Sequence, residues 1–108
     1  MMTNLLKTKI ATGKDGRTIQ HALYDSGCSF QVHRWEEATD TNRMVEEIPY
    51  EGHADRRAAR AMAMGALDSL HQQTLHDIHG NTFTDKRGIK LYWAASIGRY
   101  VTIPEDEE

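Results

Sequence analysis

Residues 54–79, ADRRAARAMAMGALDSLHQQTLHDIH, form the only long stretch with helical periodicity, and strand-like segments flank it on both sides. At 100° per residue, Ala59, Met62, Ala63, Ala66, Leu67, Leu70, Thr74 and Ile78 fall on one broad face, with Asp68, Ser69, Gln72 and His76 opposite. Much of that face is alanine, so the helix can approach its partner closely, and a flat sheet suits such a surface. Asp55 can cap the start and Gly80-Asn81 supplies a left-handed stop. A rod of this length spans roughly 39 Å, long for a chain of 108 residues, so one end is expected to project. Gly65 interrupts it, and Arg56, Arg57 and Arg60 crowd its first turns, where the helix dipole disfavours positive charge. Met64, His71 and Leu75 make a second apolar strip beside the main one. The plain interpretation is one wide buried face; the sharper one is a contact strip for another chain, including a second copy of this one.

Before the helix, residues 5–11, 18–24 and 29–35 read as strands joined by turns at Gly13–Gly16 and Asp25–Gly27. Ile19, His21 and Leu23 share one side of the second segment. Phe30 and Val32 point inward from the third, with His33 and Trp35 on its other face. Residues 36–53 lose periodicity and read as a long acidic connection tethered by Met44, Val45, Ile48 and Tyr50, with room for a short strand around 44–48. After the helix come a short edge segment at 82–84, a turn at 85–88, and strand-like stretches at 89–93 and 97–103. The link at 94–96 reads as a hairpin loop or a helical turn. The expected fold is α+β: one antiparallel sheet of about five strands, order β-β-β-α-β-β, with the long helix across one face. Residues 1–104 would be a single domain and 105–108 an acidic tail.

No apolar run is long enough to span a bilayer and no signal-like segment opens the chain, which points to the cytoplasm and away from membranes. One cysteine, Cys28, allows no internal disulfide. The net charge of −3 disfavours direct nucleic-acid binding. Its distribution is uneven: residues 36–55 hold seven acids against Arg43, the flanking regions are basic, and the tail is acidic again.

Candidate chemistry is sparse. His76 and His79, three apart, could share a metal only with an outside ligand, and His71 projects about 140° away from His76. Cys28 would need His21 or His33 beside it to act as a nucleophile. No phosphate loop, metalloprotease motif or nucleophile elbow is present. The expectation is therefore a non-enzymatic protein without cofactor or metal. Two surfaces remain. The carboxylates Glu36, Glu37, Asp40, Glu46, Glu47 and Glu51 could imitate a phosphate backbone and dock on a basic partner. Alternatively, Arg56, Arg57, Arg60, Lys86, Arg87 and Lys90, with Tyr92, Arg99 and Tyr100 nearby, could contact nucleic acid.

In layout, a short acidic-leaning chain with a meander and then an alanine-rich helix opening GHADRRAARAMAMGAL, the protein resembles small accessory proteins of bacterial viruses, including the anti-CRISPR proteins. That resemblance implies a stoichiometric inhibitor in the host cytoplasm. It would block a host nuclease complex by occupying a surface; the acidic carboxylates make the expected partner a host protein or nucleoprotein complex with a basic surface.

Overall fold

The computed structural model describes residues 3–13, 15–51 and 55–102. Strands β1 (Asn4–Thr12), β2 (Thr18–Asp25), β3 (Ser29–Glu36) and β4 (Thr41–Pro49) form an antiparallel sheet in that spatial order. Helix α1 (Arg56–His79) crosses it, and β5 (Thr82–Thr84), β6 (Lys90–Ala94) and β7 (Arg99–Val101) make a second antiparallel sheet. The class is α+β. However, the single five-stranded sheet and the β-β-β-α-β-β order are corrected to two sheets and β-β-β-β-α-β-β-β among the described residues.

The extra strand comes from the acidic connection. Residues 37–40 form a tight turn, with Asp40 at φ 48°, a left-handed conformation that aspartate tolerates better than most side chains. The chain then returns along β3 as β4, nine residues long. A register shift opposite Val32 and His33 breaks the two-residue alternation at Val45, which hides the strand from a periodicity reading.

The second sheet follows from helix length. Twenty-four residues extend roughly 36 Å, beyond the roughly 30 Å that a nine-residue strand spans. The C-terminal turns of α1 therefore run past the first sheet, and β5–β7 gather around them. Gln72 Oε1 accepts from the Tyr100 amide at 2.9 Å. Tyr100 is buried, and its hydroxyl donates to the carbonyls of Leu75 and Gly80. His76 stacks on Trp93 and His79 on Phe83, each with ring centroids 4.3 Å apart.

The core lies between α1 and the first sheet. Ala59, Ala63 and Leu67 press against Leu23, Phe30, Val32 and Ile48, with Val45, Tyr50, Met64, Ala66 and Leu70 around the margin. Small residues on the helix let its backbone approach the pleat closely, and Phe30 and Leu23 fill the space. Met62, expected on this face, is instead 58% exposed. The buried set Ala59, Ala63, Leu67 and Thr74 is centred on the small residues and turns Met62 to the solvent side. Asp55 caps the helix by accepting from the Ala58 amide at 2.8 Å, and the Gly80 amide closes the other end on the His76 carbonyl. The predicted first residue of the helix, Ala54, lies outside the described residues, as do Lys14, Gly52, Ile103 and the acidic tail 105–108.

Candidate protein-binding surface

The six carboxylates fall into two groups along the β3–β4 edge. Glu36, Glu37 and Asp40 sit at the hairpin tip; Glu46, Glu47 and Glu51 lie toward the other end of β4. Strand β4 is the outer strand of its sheet, and Glu37, Asp40, Glu46, Glu47 and Glu51 are exposed. Three of the six are tied down within the chain. Arg34 donates to Glu36 at 2.7 Å and holds its carboxyl below the ordinary carboxylate range. The indole N–H of Trp35 donates to Asp40 at 3.1 Å. Ser29 and Gln31 both donate to Glu47, at 2.9 and 3.2 Å. Among the described residues, no ion pair or side-chain hydrogen bond engages Glu37, Glu46 or Glu51. Glu46 lies on the outer strand β4, Glu37 in the turn before it and Glu51 just past its end.

The other candidate strip is used within the chain. Met64 packs at the margin of the core, and His71 and Leu75 are half-buried. The basic set is dispersed. Arg56, together with Tyr50, is bonded to the buried carboxylate of Asp25, which these hydrogen bonds hold down at about 2. That cluster pins the first turn of α1 to the end of β2 and offsets the unfavourable arginine at the helix start. Arg87 pairs with Asp85 at 3.0 Å, and Arg99 pairs with Asp68 at 3.3 Å. Lys90 sits over the Tyr92 ring at 5.6 Å. Arg57, Arg60 and Lys86 are exposed.

Beneath the helix runs a feature that the sequence did not single out. Strand register aligns Lys9, His21, Arg34 and Arg43 in one row across all four strands. His21 is 0% exposed, and neither of its ring nitrogens has a hydrogen-bond partner. Burial first, then Arg34 and His71, push its pKa down to about 4. His71, whose Nδ1 is likewise buried without a partner, is also pushed down, by burial and Lys9. Asp68 is the acid above the row, bonded to Lys9 at 3.1 Å. A period-two pattern flagged His21 as inward-facing; only the pairing register shows the cations on either side of it.

Among the described residues, no three His, Cys, Asp or Glu side chains come together in a metal-binding group. Cys28 is exposed on the β2–β3 turn, with its sulfur 3.8 Å from Ser26 Oγ. A cavity of about 650 Å³ opens between the β1–β2 turn, the end of α1 and β5, lined by Asp15, His79, Phe83 and Lys90 among others. No helix among the described residues is long and apolar enough to cross a membrane. Compared with protein-family models, curated proteins and solved structures, the chain matches none.

Proposed function

We propose that the protein is a non-enzymatic binding protein that acts by occupying a basic surface of a host protein or nucleoprotein complex, as an inhibitor of the anti-CRISPR type would. The observation that carries this reading is the open β4 edge with Glu37, Glu46 and Glu51 exposed and unengaged among the described residues. Carboxylates at the turn before a strand, on the strand and just past its end offer negative charge along one side of the molecule, and such charge gives orientation and a fast encounter with a basic groove. Proteins that handle nucleic acid present such grooves. The nucleic-acid-binding alternative has less support, because Arg56, Arg87 and Arg99 are already paired with carboxylates of the same chain.

The test is capture from host lysate with the tagged protein, compared with a Glu37→Lys/Glu46→Lys/Glu51→Lys variant and read by mass spectrometry. A partner held by the wild type and lost from the variant supports the reading. A partner held equally by both removes the edge from the account.

A further inference from the structure

The first sheet has two faces, and among the described residues only one is covered. Helix α1 packs on the face carrying Leu23, Phe30, Val32 and Ile48. Register puts three rows on the opposite face: Leu5, Tyr24, Gln31 and Glu47; Thr8, Ala22, His33 and Met44; Ile10, Gln20, Trp35 and Asn42. Leu5, Ile10 and Met44 are 56%, 55% and 49% exposed. Charged residues make up 27% of the chain, yet these rows contain no lysine, arginine or aspartate, and Glu47 at one end is their one carboxylate.

We infer that this uncovered face is the contact between two copies of the chain, packed sheet on sheet about a two-fold axis. Its near neutrality selects that occupant. A second copy brings a face equally poor in charge, whose one carboxylate, Glu47, is exposed at a corner on the outer strand β4, whereas a charged partner would lose its hydration across the face without compensation. The size is sufficient. Four strands about 4.8 Å apart and about 26 Å long offer on the order of 500 Å² per copy, about 1,000 Å² for the pair before corrugation. That reaches the lower limit of about 1,000 Å² for a biological interface. With the axis along the strands, β1 of one copy lies over β4 of the other, so Leu5 and Ile10 face the side that carries Met44. Glu37 and Glu51 lie outside the face and Glu46 points to its other side, so the contact is separate from the proposed partner edge.

Sedimentation velocity of the full chain, up to about 1 mM because an interface of this size is a weak one, tests the inference. The expected result is a concentration-dependent dimer. Ile10→Asp and Met44→Asp, on opposite sides of the face, should each raise the dissociation constant by at least about tenfold, since each buries a charge in the contact. Both side chains are exposed in the single chain, and circular dichroism checks that the variants fold. Met62→Asp, exposed on the helix, should leave the dimer unchanged. A monomer throughout overturns the inference. So does a dimer insensitive to either face variant, one lost only on changing Ile10 (which would mean pairing through the β1 edge), or one equally weakened by Met62→Asp.

Discussion

At the scale of single residues, His21 is the most consequential side chain. An imidazole with no exposure and two unpartnered nitrogens leaves its polar groups unsatisfied, a cost of roughly 1–3 kcal/mol. Burial is the main obstacle to a proton there; Lys9 and Arg34 also flank it in the row, and His71, itself pushed below its ordinary value, faces it from the helix. Its pKa in the folded chain, about 4, lies below the ordinary value of 6.5. The unfolded chain therefore takes up the proton first as pH falls. The stability contribution is complete above pH 6.5 and is lost progressively down to about pH 4; His71, shifted the same way, adds to the loss. The urea midpoint should fall between pH 7 and pH 5, and His21→Leu should flatten that dependence and leave the protein more stable than wild type at pH 5. A wild-type midpoint unchanged over the interval would show that the imidazole reaches water. The sequence placed His21 on the inward side of its strand, but could not show that strand pairing sets it between two cations. It likewise gave no sign that Asp25, in a turn-like Asp-Ser-Gly, would anchor Tyr50 and Arg56.

At the scale of elements, legibility tracked the regularity of burial. The first three strands and the helix were readable because Ile19, Leu23, Phe30 and Val32 alternate cleanly and Ala59, Ala63 and Leu67 repeat at helical spacing. Strand β4 was not readable as a full strand. Its residues are mostly exposed, its bulge breaks the alternation, and Asp40 makes the turn that glycine would have advertised. In β1 the apolar set Leu5 and Ile10 faces away from the helix, and Lys7, Lys9 and Ala11 face it, because pairing with β2 fixes that register. The second sheet was mistaken for part of the first because sequence does not show how far a helix overhangs. Tyr100 is the main link between α1 and that sheet, so Tyr100→Phe removes the hydroxyl that serves two helix-end carbonyls. It should cost about 1–2 kcal/mol and raise amide exchange in β5–β7 more than in β1–β4. Equal exchange increases in both sheets would mean that the two unfold as one unit.

At the scale of the whole molecule, the charge is sorted. A basic row lies under the helix, one sheet face is nearly uncharged, and carboxylates line the β4 edge at both ends. The sequence showed that acids were concentrated in one stretch; the fold divides them between the tip and far end of a hairpin, pairs Glu36 with Arg34, and gives Asp40 and Glu47 hydrogen bonds from the neutral Trp35, Ser29 and Gln31. Under the proposed function, Glu37, Glu46 and Glu51 are the carboxylates without an internal contact among the described residues, so recognition through them would be electrostatic and would weaken as salt screens it over about 10 Å. The decisive measurement is the affinity for the captured partner at low and high salt, wild type beside Glu37→Lys/Glu46→Lys/Glu51→Lys. Tight binding by the wild type that falls with salt, and weak binding by the variant at both, is the predicted result. Equal affinity of the two proteins with no dependence on salt would contradict it.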